Sequence, residues 1–253
     1  MNDNTSDSNR TLLGSDAFTF ACNDTISCFT RCCRNADMFL YPYDIIRLKQ
    51  HLGLTSEEFL INHTITAFRD TPNFPSVMLK MRDREGQPCP FLTETGCTVY
   101  EDRPFSCRAY PLEPAIYDNG EGGFAITNFL VRHDHCLGHG QGEKWTARQW
   151  MKDQNMDAYT APNGAWAKVA SLLHGLKPAG KKGKDNPAMN MAYMASYNMD
   201  TFRRFVFESS FLQKFDVAGE RLDMVRENDV ALMFLGFDWI LRFLGGQGPL
   251  QAK

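Results

Sequence analysis

The sequence has no apolar run long enough to cross a bilayer. Its longest, Val230 to Leu244, is interrupted by Asp238 and Arg242, whereas a transmembrane helix needs about 20 apolar residues. The opening residues, Met1 to Arg10, lack the basic cluster and apolar segment of a secretory leader, so a cytoplasmic location is expected. Neither sign of charge dominates. With 27 Lys and Arg against 30 Asp and Glu, the net charge of -3 gives no global attraction for nucleic acid, and none is expected as a partner. Neither a Ser-His-Asp arrangement nor a helical H-E-x-x-H pattern is visible, and internal repeats are absent. Cysteine is missing from the chain after Cys136, the last of the eight.

Residues that can build a core are plentiful, at 43% hydrophobic and 12% aromatic. Local signals order them into an α+β fold that is predominantly helical. A small antiparallel sheet is expected beside a cysteine cluster, followed by a helical C-terminal portion. The polar residues 1–17 read as a disordered tail. Residues 18–142 read as the cysteine-cluster domain and 143–253 as a helical region packed on it, with an exposed loop at 177–187 that holds four lysines. Pro42 opens a helix that Gly53 ends, and the Thr55/Glu58 spacing caps a second. Residues 71–76 read as a loop, 77–81 and 98–100 as short strands, and Asp118 to Gly123 as the turn of a hairpin. Helical spacing covers 145–156 and 165–176. Asp200 is placed to cap a helix carrying Phe202, Phe205, Val206 and Phe211. A last helix spans 229–244, where Asp238 and Arg242 have ion-pair spacing.

The cysteines are Cys22, Cys28, Cys32, Cys33, Cys89, Cys97, Cys107 and Cys136. Nearly all sit among Gly, Pro, Asn or charged residues, where the backbone can turn tightly enough to aim several sulfurs at one point. In a reducing compartment eight thiols suggest metal or redox chemistry before disulfides. Arg31, Arg34, Arg103, Arg108 and Arg132 lie close enough in sequence to offset thiolate charge. Adjacent side chains usually diverge, so Cys32 and Cys33 either divide their roles or face different ions. Eight thiolates suffice for two four-thiolate sites. The metal stays open. Paired C-x2-C zinc knuckles are absent, as are the common ferredoxin spacings, and Asn35 stands where a C-x3-C-x2-C motif would need its third cysteine.

In order along the chain stand Cys28-Phe-Thr-Arg-Cys32-Cys33, Tyr43-Asp44-Ile-Ile-Arg47-Leu48, Ser56-Glu-Glu-Phe59-Leu60 and Cys89-Pro-Phe-Leu92. Gly96-Cys97-Thr-Val-Tyr100, Arg103-Pro104-Phe-Ser-Cys107-Arg108 and Tyr110-Pro111 complete the series. Together they resemble the YkgJ family of cysteine-cluster proteins, described as carrying a zinc- or iron-chelating domain. The resemblance covers about half of the chain and implies a metal-chelating module, with zinc, iron or an iron–sulfur cluster as cofactor and no settled reaction. Some relatives are named flagellin lysine N-methylases, which makes an iron–sulfur enzyme, methylating or oxidoreductive, one alternative. A zinc-stabilised interaction module, engaging a protein partner through the helical C-terminal region, is the other. Neither Asp118 to Gly123 nor Gly138-His-Gly-Gln-Gly142 sits between strand and helix as a methyl-donor loop would.

Ligand expectations are strongest for Cys28, Cys32, Cys33, Cys89, Cys97 and Cys107, then Cys136, with Cys22 last because five residues separate it from Cys28. His133, Asp134, His135 and His139 read as a polar loop around Cys136, although mixed Cys/His ligation is chemically sound. Asp102 and Arg103 read as a turn. Lys181, Lys182 and Lys184 read as a solvated loop, and Met189, Met191, Met194 and Met199 as packing.

Overall fold

The structure is a computed structural model describing residues 9–68, 73–176 and 185–253. It opens with two short strands, β1 (Arg10–Leu12) and β2 (Ala17–Phe20), so the expected tail is corrected from Arg10 onward. Low apolar content does not prevent pairing at a sheet edge. Arg10 pairs with Glu113 at 2.9 Å and its guanidinium lies over the Phe129 ring at 3.7 Å. The remainder of that tail up to residue 8 lies outside the described residues.

After a single 3-10 turn at Arg31–Cys33, α1 (Pro42–Leu52) starts at its proline and stops at Gly53, whose φ is 66°. α2 (Ser56–His63) carries the expected capping box, with Thr55 Oγ1 accepting from the Glu58 N–H at 3.2 Å. A hairpin of β3 (Thr64–Ala67) and β4 (Ser76–Leu79) follows, and only 73–76 of the expected 71–76 loop is described. β5 (Leu92–Thr93) pairs with β6 (Gly96–Cys97). The strand expected at 98–100 is therefore displaced. Thr98 directs both its N–H and its hydroxyl to the Phe91 carbonyl, and the chain coils into a 3-10 turn at Tyr100–Asp102.

Helix α3 (Phe105–Ala109) leads into the expected hairpin, β7 (Leu112–Asp118) with β8 (Phe124–Val131), which β1 extends to three strands in the order β1-β8-β7. β9 (Glu143–Thr146) pairs with β2, so Trp145 lies in a strand. The helix expected from 145 begins two residues later as α4 (Ala147–Asp153), because Thr146 and Gln149 form a capping box there. α5 (Asp157–Gly175), α6 (Pro187–Tyr197), α7 (Met199–Glu208), α8 (Phe211–Lys214), α9 (Gly219–Glu227) and α10 (Asp229–Gly245) build the helical part. A last small pair joins β10 (Phe215–Asp216) to β11 (Gln251–Ala252). Lysines 181, 182 and 184 of the expected 177–187 loop lie outside the described residues, and Pro187 already belongs to α6.

Two further expectations are corrected. Asn198, not Asp200, caps α7, accepting from the Thr201 N–H at 3.2 Å. The Asp200 carboxylate is already engaged, by the Ser56 N–H at 2.6 Å and by Lys49, which also pairs with Asp229 at 2.8 Å. Asp238 pairs with Arg221 of α9 rather than with Arg242, which donates to the Gly246 carbonyl at 3.0 Å. Asp200 and Asp238 are thus engaged by partners outside their own helices.

The main core draws on residues from Leu40 to Leu250, so the cysteine-bearing and helical parts share one apolar interior. Met189 and Met199 are buried in it, as the packing reading expects. A second, smaller core unites Leu13, Phe18, Phe20, Leu112, Leu130 and Trp150. Where α10 crosses α6 the approach is very close: a Cβ at Gly236 would stand 2.3 Å from the Ala195 carbonyl oxygen. Asp44, fully buried, accepts the Tyr41 N–H at 2.8 Å and the Phe105 N–H at 2.9 Å, tying the start of α1 to the start of α3. Burial pushes its carboxyl up to about 7 against those donors and Arg108, which favour the ionised form.

Gly236→Ala is expected to cost about 1–3 kcal/mol by forcing the two helices apart, read as a lower urea midpoint. Asp44→Ala leaves two buried donors without an acceptor and is expected to cost about 2–4 kcal/mol. Asp44→Asn supplies a pH control. A raised carboxyl pKa in the folded state favours folding with proton uptake, so this contribution is full below about pH 4 and falls as pH rises to about 7. Unfolding free energies across that window should show the wild type losing stability relative to Asp44→Asn, then running level above it.

Candidate metal centre

The thiols come together because four separated segments are tied by backbone hydrogen bonds. At the end of β2, the Ala21 N–H donates to the Gly138 carbonyl at 3.2 Å, and the Gly140 N–H donates to Thr19 at 2.9 Å. Position 138 has no room for a side chain, since a Cβ would lie 2.2 Å from the Ala21 carbonyl oxygen. The glycines after Cys136 thus press that loop against the residues preceding Cys22. The next link is direct: the Leu137 N–H donates to Cys28 Sγ at 3.2 Å. Cys22, Cys28 and Cys136 become neighbours over the smaller core, against which Cys136 and Tyr110 pack.

A second set forms around Cys33. The Cys89 N–H donates to the Cys33 carbonyl at 2.8 Å, and Arg34 bridges Pro88 beside it. The Leu92 N–H donates to the Cys89 carbonyl at 3.1 Å, while Leu92 stands opposite Cys97 in the β5–β6 pair. Cys89 and Cys97 rest against the main core. Cys107 joins from α3, its Sγ 3.6 Å from Met38 Sδ. Cys32 and Cys33 are hydrogen-bonded through their side chains and form the seam between the sets.

All eight cysteines are free. Cys22, Cys32 and Cys107 retain solvent contact although protein surrounds each closely, which describes thiols lining a crevice. Their acidities record the crowding. Cys22 is pushed up to about 11, by burial first and then by the thiols of Cys32, Cys136 and Cys28, with Arg103 opposing. Burial and the neighbours Cys89, Cys32 and Cys97 drive Cys107 well above the ordinary thiol range. Burial also raises Cys89 and Cys97; Cys97 adds to the rise at Cys89, where Arg82 opposes it, and Arg103 opposes it at Cys97. Within the seam the shared proton lowers Cys32 and raises Cys33. A metal-free crevice is thus held mostly as neutral thiols, and a cation entering it must displace protons.

Of the expected charge-offsetting arginines, Arg103 acts at Cys22 and Cys97, and Arg82, overlooked in the sequence, acts at Cys89. Arg108 is corrected to a structural role: its guanidinium donates to the carbonyls of Gln154 at 2.7 Å and Glu101 at 2.6 Å. Arg103 likewise donates to the Tyr100 carbonyl at 2.6 Å and Gln154 Oε1 at 2.7 Å. Asp102 engages Arg47 and His51, as a turn residue rather than an acid/base partner.

The 133–139 loop is more ordered than a solvated polar loop. His133 stacks between Tyr110 at 5.7 Å and His135 at 5.3 Å, and Tyr110 lies 3.5 Å from His139 Nε2. Burial first, then neighbouring cations, holds His135 and His139 below the usual imidazole range. The tyrosine is raised by burial and by its hydrogen bond with Cys136. Tyr110 and Met38 were not foreseen as site residues; Tyr110 at least stood inside a recognised motif, directly after the Cys107 segment.

Among the described residues, no three Cys, His, Asp or Glu side chains are drawn tightly enough together to hold an ion as they stand. The donor chemistry nevertheless fits zinc or iron: Cys22 has Cys28, Cys32 and Cys136 in its surroundings, Cys107 has Cys32, Cys89 and Cys97, and the His135 Nε2 is buried without a hydrogen-bond partner among the described residues. No curated protein and no solved structure matches the chain. A family model, CxxCxxCC, described as "Putative zinc- or iron-chelating domain", matches residues 21–137, a span that begins beside Cys22 and ends beside Cys136. Residues 21–137 are thus similar to a domain described as zinc- or iron-chelating.

Proposed function

We propose that the cysteines of residues 18–142 are thiolate ligands to zinc or iron, and that the bound metal fixes the crevice on which the helical region 143–253 is packed. One observation carries this: thiols as far apart in sequence as Cys28 and Cys136 are brought into each other's immediate surroundings, where a soft cation can replace the protons that keep them neutral. Eight free thiols suit a reducing, cytoplasmic setting. Iron bound as a sulfide cluster is the redox form of the proposal, and closed zinc thiolate the structural form.

Protein purified without oxygen is expected to carry zinc or iron in stoichiometric amount by elemental analysis. Stripping the metal with a chelator is expected to lower the thermal midpoint, because metal-binding energy is folding energy in a site assembled from distant segments. Raised thiol pKa values add a sign: apparent affinity should climb with pH, each ion releasing protons as it binds. A metal-free preparation that takes up neither ion and is as stable as before would end the proposal.

A further inference from the structure

We infer that Asn119 is a self-modifying site: the turn joining β7 to β8 holds the groups that close Asn119 onto the Gly120 nitrogen, expel ammonia and leave aspartate or its β-linked isomer. No thiol or metal takes part.

The chain holds two Asn-Gly pairs, Asn119-Gly120 and Asn163-Gly164, and sequence alone gives them equal standing. A following glycine leaves the amide nitrogen unshielded by a side chain, so both are candidates for ring closure. The fold separates them. Asn163 and Gly164 lie inside α5, where Asn163 is only 4% exposed. A helical amide is committed to the carbonyl four residues back, and closing a ring through it would break the helix. Glycine stands at 164 for packing, because a Cβ there would lie 2.2 Å from Cδ1 of Phe124.

Asn119 and Gly120 are exposed at the tip of the hairpin, and each group that reacts has a partner there. The Gly120 N–H donates to Asp118 Oδ1 at 3.0 Å, which sets a base on the proton that must leave. Asn119 Oδ1 accepts the N–H groups of Glu121 and Gly123, both at 3.0 Å. Two backbone donors on one carbonyl oxygen form an oxyanion hole for the charge that develops there. Nδ2, the leaving nitrogen, lies beside a bare glycine: a Cβ at Gly123 would stand 3.1 Å from it. Gly120 has a φ of 75°, a left-handed conformation that glycine adopts freely.

The bond changes balance. As Asp118 takes the Gly120 proton, the nitrogen bonds to Asn119 Cγ and the carbonyl electron pair moves onto Oδ1. Its return breaks the Cγ–Nδ2 bond, and Nδ2 departs as ammonia with the proton from Asp118. The cyclic imide then takes up water at either carbonyl, which opens it to aspartate or the β-linked isomer. One water is consumed and one ammonia released, with no oxidant or reductant. The product adds a carboxylate beside Asp118 and Glu121, and the β-linked form lengthens the main chain by one methylene. That change reaches the helical region, since Lys168 of α5 donates to the Gly122 carbonyl and Phe124 packs on Gly164.

The test holds the full chain folded in neutral to mildly alkaline buffer and maps its peptides over days by mass spectrometry. A gain of one mass unit marks conversion, and fragmentation separates the two isomers. Conversion is expected at Asn119 while Asn163 stays intact; the same chain unfolded in urea is expected to react at both. Asp118→Asn keeps an acceptor for the Gly120 N–H but no base, and should slow Asn119 by about tenfold or more, as should Asp118→Ala. Circular dichroism checks that each variant is folded. If Asn119 stays intact in the folded chain, its Oδ1 hydrogen bonds lock the side chain instead of activating it, and the assignment is overturned. Conversion at Asn163 as fast as at Asn119, or an unchanged rate in both Asp118 variants, would overturn it as well.

Discussion

Beneath the thiols lies a carboxylate with nowhere to go. Asp44 is enclosed by protein and holds the backbone N–H groups of Tyr41 and Phe105 at once, so the first helix and the helix bearing Cys107 cannot move independently. Arg108 and Arg103 extend the lock by gripping carbonyls at 100, 101 and 154. Short irregular segments rarely hold their own position, because their backbone groups have few internal partners. Here one acid and two guanidiniums supply the missing partners, and Cys107 projects from a backbone that the interior has already fixed.

On that frame the sulfurs of Cys22 and Cys107 resist ionisation, by burial first and then by the thiols beside them. The same crowding favours a soft divalent cation, which replaces proton-held neutrality with shared positive charge. The aromatic and histidine layer formed by Tyr110, His133 and His135 borders the Cys136 side, where the tyrosine hydroxyl is already hydrogen-bonded to sulfur. Partners in that position orient a ligand and tune its basicity, as outer-shell groups do in metal sites generally.

Shared apolar interior links this crevice to the helical part. Tyr159 of α5 packs edge-on against Tyr43 of α1 and donates to the Arg103 carbonyl at 3.2 Å. Trp150 of α4 donates to the Ala109 carbonyl at 2.9 Å, at the end of the helix bearing Cys107. Residues far from any cysteine therefore brace the backbone beneath the thiols.

Local chemistry alone determined a good deal. Pro42 and Gly53 delimited a helix, Thr55 with Glu58 capped another, and the Asp118 to Gly123 turn set a hairpin, because each signal acts within one turn of chain. The concentration of thiols between residues 22 and 136 was equally legible, since cysteine placed among turn-forming residues needs no knowledge of neighbours in space. Signals that depended on choosing among partners were not. Asp200 and Asp238 found distant cations and donors in place of local roles, Arg108 turned to carbonyls instead of sulfurs, and β1 was stabilised by an edge its own sequence does not announce. Only the tertiary structure decided which cysteines are neighbours. That grouping rests on hydrogen bonds between residues more than a hundred positions apart, such as Leu137 on Cys28 and Ala21 on Gly138, and no local pattern encodes such a pairing.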